Sequence, residues 1–224
     1  PIVLVEGTAT ILLYNFSLWW SKPKNPKESK FARTRWIFNN EWVMWLNNVI
    51  ALIVLGYCLL HIHLYSFLFL GFIGILSLLY GMPLFTFQDR KVGLRQIPGA
   101  KIFHIALVWV CSSVILPYVE LLDTGDAIDR WVLVALCVLK FIFLIICTLP
   151  FDIRDIQQDS YYHLRTLPNM LGEQKAKRLT YTLLLLHSLL ILAAPYLLSI
   201  KLGLILTNIL IYALLKLAVF KTKD

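Results

Sequence analysis

Charge is scarce in this sequence. Only 15% of its 224 residues are Asp, Glu, Lys or Arg, and 59% are apolar, whereas soluble domains carry about 25% charged and about 45 to 50% apolar residues. The shortage excludes an ordinary water-soluble globule, and the mean hydropathy of +0.73 agrees. Cysteine is equally sparse: Cys58, Cys111, Cys137 and Cys147 all lie in apolar stretches, where the residue behaves as a small hydrophobe, so neither a disulfide nor a thiolate metal site is expected. No basic n-region or small-residue cleavage site precedes the first apolar stretch. That stretch begins directly after Pro1, and a further N-terminal segment is expected upstream. Lys and Arg outnumber Asp and Glu by 21 to 13, but they sit in short clusters instead of along one face. Membrane topology explains such clusters, and no nucleic-acid partner is expected.

What the sequence has in abundance is long apolar runs. They extend over Ile2 to Trp20, Val43 to Leu60, Leu64 to Phe87, Ile102 to Leu122, Trp131 to Phe151, Leu179 to Ser199 and Leu202 to Phe220. A helix crosses the bilayer with roughly 20 residues of this kind, so the expected fold is all-α: a polytopic bundle of about seven transmembrane spans, forming one domain over residues 1–224. The basic residues between successive runs number six, none, four, one, five and one, with three more at the C-terminus. Every second link is basic, and by the positive-inside rule these links and the C-terminus face the cytoplasm while Pro1 lies outside.

One further cation, Lys140, falls near the middle of the fifth run, where it costs about 2.5 to 3.5 kcal/mol on insertion scales. It is expected to face the bundle interior, either contacting an anionic substrate or paired structurally, for instance with Glu6.

The fifth run leads into Asp152-Ile153-Arg154-Asp155-Ile156-Gln157-Gln158-Asp159. On a continuous helix at about 100° per residue, Asp155 lies about 300° and Asp159 about 700° from Asp152, so all three share a sector of about 60°. Three carboxylates so close together repel one another unless a cation neutralises them. An all-oxygen set suits Mg²⁺, which takes one or two carboxylates and completes its shell with water and phosphate oxygens. Arg154, Arg165 and Lys175 stand near as phosphate counter-charges. The alternative is a solvated loop whose acids and bases balance.

This segment, followed by Arg165-Thr166-Leu167-Pro168 and Leu171-Gly172-Glu173, resembles the second aspartate-rich motif of the UbiA-type polyprenyl transferases. Tyr80 to Leu84, the basic link after it and Lys101 resemble the cytoplasmic loop of that family. The resemblance implies a membrane prenyltransferase fold lacking one or more terminal helices, with the seven runs as its second to eighth helices. It also implies Mg²⁺ as cofactor, held by Asp152, Asp155 and Asp159, and binding of a prenyl diphosphate by Asn15, Lys101, Arg154 and Arg165. The implied acceptor is aromatic or a lipid, and the implied place is a bacterial inner membrane with the active site facing the cytoplasm.

Two departures qualify the resemblance. The first aspartate-rich motif of the family should end the first run, yet after Asn15 the chain reads Phe16-Ser17-Leu18-Trp19-Trp20 without an aspartate. His163 also replaces a usual glycine. Glu28, Asn39, Asn40, Glu41, Asn47 and Asn48 offer oxygen ligands elsewhere, but the better reading of that link is a polar mouth flanked by Trp36 and Trp42 as interfacial anchors. Loss of the first motif motivates an alternative function, a non-catalytic or altered relative that binds a phosphorylated isoprenoid or lipid. A small transporter ranks last, because no paired broken-helix repeats are visible.

Other polar residues have simpler readings. Asp123, Asp126 and Asp129 fall on the outer side as a solvated loop. His61 and His63 lack the further ligands of a zinc site, and His104 and His187 are expected in helix contacts. Arg90 to Lys101 reads as an amphipathic interfacial segment, and the resemblance implies that it helps to cover the diphosphate.

Overall fold

The computed structural model describes residues 1–20, 22–29, 32–82, 85–87, 90–94, 97–122, 128–161 and 165–216, with the backbone alone at 33, 81, 85–87, 90–92 and 158. Helices dominate: α1 Ile2–Trp20, α2 Ala32–Asn39, α3 Glu41–Leu59, α4 Leu64–Gly81, α5 Ala100–Val110, α6 Leu116–Leu122, α7 Arg130–Arg154, α8 Ile156–Tyr161, α9 Leu167–Leu171, α10 Glu173–Ala193 and α11 Leu198–Lys216. A two-stranded antiparallel hairpin, β1 Phe85–Phe87 with β2 Arg90–Val92, is the one sheet among the described residues. Among these residues six helical segments are long and apolar enough to span a bilayer. The eighteen residues of α4 add about 27 Å of helix.

Several expected boundaries move. The third run does not continue as a helix to Phe87, because α4 stops at Gly81 and Phe85–Phe87 pairs with Arg90–Val92. Extended pairing there satisfies backbone groups of a basic link that cannot sit in hydrocarbon. Within the segment Arg90 to Lys101, Arg90–Val92 forms β2 and Ala100 begins α5, while Arg95 and Gln96 fall outside the described residues. The sixth run begins earlier, at Glu173, because an open turn at Gly172 (φ 81°, ψ 154°) separates it from α9. Asp123, Asp126 and His163, and the C-terminal Lys221 and Lys223, fall outside the described residues.

The chain forms two compact units, Pro1–Leu78 and Leu79–Asp224. In the first, α1 packs on α3. Val5 and Ala51 are buried, and Thr8 Oγ1 donates to Leu4 O at 2.6 Å, which keeps a hydroxyl satisfied away from water. In the second, α7 is flanked by α5 and α10. Their seam holds Ile102, Ala106, Ile145 and Leu149, with Phe141, Leu144, Leu167, Leu179 and Leu183 against it. In lipid the driving force for this association is close packing, and small residues permit it. Ala106 and Ala176, both fully buried, mark such approaches.

Span α5 to α6 runs through a π-turn at Cys111–Ile115, where Leu116 N–H donates to Cys111 O. Pro117 follows immediately. It has no N–H to give Ser113 O, and its ring crowds that carbonyl, so the wider turn relieves the clash while Ser113 Oγ donates to Trp109 O at 2.6 Å. Span α7 opens with Asp129, whose Oδ1 accepts the Trp131 N–H at 2.7 Å. This acid caps a helix. Outward faces are apolar, with Leu185 63% and Leu192 60% exposed, as lipid requires. The protein is thus an integral, multi-pass, all-α membrane protein.

Candidate functional site

The aspartate segment does not continue as one straight helix. After Arg154, α7 ends with Asp155 in a non-helical cap (φ −95°, ψ 12°), and α8 restarts at Ile156. The break changes which carboxylates meet. Asp152 and Asp159 are both buried, at 6% and 7% exposure, and converge on Lys101 from α5: Lys101 Nζ donates to Asp152 Oδ1 at 2.6 Å and lies 3.6 Å from Asp159 Oδ2. Asp155 turns instead to its neighbour, receiving Arg154 Nε at Oδ1 (2.8 Å) and Nη2 at Oδ2 (3.0 Å). The Arg154 guanidinium also covers the Phe151 ring at 5.2 Å.

The electrostatics follow from this geometry. By formal charge three carboxylates face two cations, Lys101 and Arg154, leaving one negative charge in a cluster in which Asp152 and Asp159 are buried while Arg154 and Asp155 are about one-third exposed. Burial pushes the Asp159 carboxyl above the usual carboxylate range; Lys101 opposes that rise and Asp152 and Asp155 add to it. Among the described residues Asp159 Oδ2 is buried without a hydrogen bond, Lys101 Nζ standing 3.6 Å from it, a costly state for a carboxylate oxygen.

Sequence-distant segments hold the cluster in place. Gly99, with φ at +71°, donates its N–H to Arg165 O at 3.0 Å, tying the loop after α8 to the start of α5. Thr166 then starts α9 and is 2% exposed, with its Oγ1 also lacking a hydrogen bond. Tyr80 stacks on His104 at 5.5 Å and 13°, within electrostatic reach of Lys101. In the sequence Thr166 and Tyr80 stand only inside segments that resemble the family, and His104 only as a helix contact; none of the three is marked there as a site residue.

The remaining expected residues are placed as follows. Arg165 is exposed. Asn15 belongs to the other unit, where its Nδ2 donates to Asn48 Oδ1 at 2.7 Å. Other polar groups of that link are engaged locally: Glu41 pairs with Lys22, Asn40 Nδ2 donates to Trp36 O at 2.9 Å, and Asn25 Nδ2 to Glu28 Oε2 at 3.2 Å. Trp36 and Trp42 are 62% and 67% exposed. Lys140 is half-buried on α7, and Glu6 lies on α1 in the other unit. His61 Nδ1 meets Tyr57 O at 2.8 Å, a local structural contact.

Among the described residues no three His, Cys, Asp or Glu side chains form a self-sufficient metal cage. Mg²⁺ does not need one, since it is commonly held by one or two carboxylates together with water and phosphate oxygens. The pair Asp152 and Asp159, the residual negative charge and the unbonded Asp159 Oδ2 fit that requirement.

The described fold is an all-α membrane bundle in which Asp152 closes the spanning helix α7 and Asp159 follows on the short α8. The fold is similar to that of a UbiA homolog from Archaeoglobus fulgidus solved with GPP and Mg²⁺, with a TM-score of 0.59 and 15% identity, covering 95% of this chain and 73% of that one. A structure of a UbiA homolog from the same organism with DMAPP and Mg²⁺ is similar at a TM-score of 0.52 and 17% identity, covering 94% and 68%. No family model matches the chain, and no curated protein matches it. At these identities the likeness shows the fold, which is UbiA-like.

Proposed function

We propose that the protein is an integral membrane prenyltransferase that moves a prenyl group from a prenyl diphosphate to an aromatic or lipid acceptor with Mg²⁺. One observation carries this reading: two buried carboxylates, Asp152 and Asp159, share a single lysine, and one of their oxygens has no hydrogen bond. The structural neighbours carry prenyl diphosphates with Mg²⁺, which supports the same ligand here.

In this reading Asp152 and Asp159 hold Mg²⁺, with Asp155 beside them, and the bound ion supplies positive charge to the departing diphosphate. Lys101, Arg154 and Arg165 neutralise phosphate oxygens, the guanidinium groups by two-pronged hydrogen bonds and the ammonium as a point charge. Asn15 contributes to substrate binding. Residues 1–224 act as one domain, placed in a bacterial inner membrane, and the alternating basic links put the aspartates on the cytoplasmic side.

A second reading, an altered relative that binds a phosphorylated isoprenoid without transferring it, is favoured by one feature. No aspartate follows Asn15, whose amide nitrogen donates to Asn48 Oδ1.

The test is to incubate membranes containing the protein with radiolabelled prenyl diphosphates and a panel of aromatic and lipid acceptors, with and without Mg²⁺. Metal-dependent product is expected. It should fall by at least about a hundredfold in Asp152→Asn and Asp159→Asn, given that even outer-shell partners of metal sites carry about 10- to 100-fold. Mg²⁺-dependent binding of the diphosphate without product would select the second reading. Absence of both binding and turnover would refute the two together.

A further inference from the structure

Helices α10 and α11 form a hairpin joined by residues 194–197, and a cavity of about 310 Å³ lies between them, lined in part by Tyr181, Leu185, Ser188, Ile205, Asn208 and Tyr212. None of these residues belongs to the aspartate site. The lining is graded along the hairpin. At one end Lys216 Nζ sits 5.4 Å from the centre of the Tyr181 ring and 5.5 Å from that of Tyr212, and the two rings meet edge to face at 5.6 Å. Arg178 is exposed three residues before Tyr181, on the same side of α10. Among the described residues neither Arg178 nor Lys216 has a carboxylate partner. Leu185 and Ile209, at 63% and 57% exposure, offer apolar surface between the ends. At the other end Asn208 Nδ2 donates to Ser188 Oγ at 2.8 Å, and Asn208 Oδ1 meets His187 Nδ1 at 3.0 Å.

Each part of the gradient narrows the occupant. The inner polar groups satisfy one another and so require no polar ligand deep in the membrane. Docking of an apolar helix would bury two unpaired cations, at a cost in desolvation. Two cations beside a pair of tyrosines match the level of lipid headgroups, where amphipathic rings and basic side chains concentrate. From Lys216 to Asn208 the helix rises about 12 Å, enough for the upper part of an acyl chain. We propose that the α10–α11 groove binds an anionic phospholipid, its phosphate held by Arg178 and Lys216 and one acyl chain lying along Leu185, Ile205 and Ile209.

The proposal is independent of catalysis at the aspartates. It is tested by titrating the detergent-purified chain with phosphatidylglycerol and phosphatidylcholine of equal chain length and counting retained lipids by native mass spectrometry. Phosphatidylglycerol should be retained preferentially at low salt, with about a fivefold advantage from each cation. The Arg178→Gln, Lys216→Gln double variant should lose that preference while still retaining some of either lipid. Ile209→Trp, which fills the groove without altering charge, should reduce retention of both. Lys201→Gln, at the other end of α11, should change nothing. Equal retention of the two lipids by the unaltered protein, or an undiminished preference in the double variant, overturns the proposal. So does full retention in Ile209→Trp, which would indicate headgroup attraction without a groove. Displacement of phosphatidylglycerol by equimolar geranyl diphosphate would assign the groove to a prenyl compound and overturn it as well.

Discussion

At the scale of single residues, the decisive contact is Lys101 between Asp152 and Asp159, because it sets the charge balance of the buried cluster. Lys101→Met leaves Asp152, 6% exposed, without its ammonium partner. A hydrogen bond to a charged group is worth about 1.5 to 3 kcal/mol, and the side chain of Lys101 is partly solvated, so the lower half of that range is the expected loss. Thermal unfolding in detergent measures it. Adding Asp152→Asn to Lys101→Met should recover a large part of the loss, since the unpaired charge is then gone; a strictly additive double variant would show that the two side chains do not interact. Asp155 differs from its neighbours because Arg154 already grips both of its oxygens. In the transfer assay Asp155→Asn is therefore expected to lose less activity than Asp152→Asn or Asp159→Asn. The types of these residues were legible in the chain, and their spacing alone raised the idea of a carboxylate site. The partition was not legible, because the equal treatment of three aspartates assumed an unbroken helix, and the break falls at Asp155 itself.

At the scale of elements, turns and helix contacts position the site. Gly172 combines φ +81° with ψ 154°, a region open essentially to glycine, and nothing lies within 4 Å of an added Cβ there. Gly172→Ala should therefore destabilise through backbone strain alone, by about 1 to 3 kcal/mol, read as a lowered unfolding temperature. The link between α10 and α11 rests on His187, Asn208 and Ser188. Interhelical hydrogen bonds in membranes average about 0.6 kcal/mol with a maximum near 1.7, so Asn208→Leu should cost little in the same measurement. A larger loss would mean that the cluster fixes helix register. The spans were readable from apolar length, seven runs answering among the described residues to six long apolar segments and the shorter α4, whereas helix ends were not. Gly81 ends a helix inside a run that composition alone treats as continuous, Asp155 breaks the helix that the aspartate spacing assumed, and Gly172 separates two helices where the sequence showed only a polar link, since hydropathy does not register a change in φ and ψ.

At the scale of the whole molecule, topology is the property that follows most directly from charge. Single cysteines placed at Lys24 and Lys175 in a background lacking Cys58, Cys111, Cys137 and Cys147 should react with an impermeant maleimide only from the cytoplasmic side. One at Asp129 should react only from outside, and labelling of all three from one side would discard the alternating arrangement. The UbiA-like fold was anticipated from the aspartate segment and the Thr–Leu and Leu–Gly steps after it, although the site they imply still awaits the transfer assay. The sequence by itself determined the solvent of the fold, the number of long apolar segments and the chemistry available to the site, because hydropathy and residue type are additive along a chain. Only the tertiary structure decided that Lys101 meets Asp152 across fifty-one positions, that Gly99 ties down Arg165, and that Asp155 stands apart. Those outcomes depend on where the backbone turns and which helices pack together, and each is set by the whole assembly of contacts and not by any local stretch of residues.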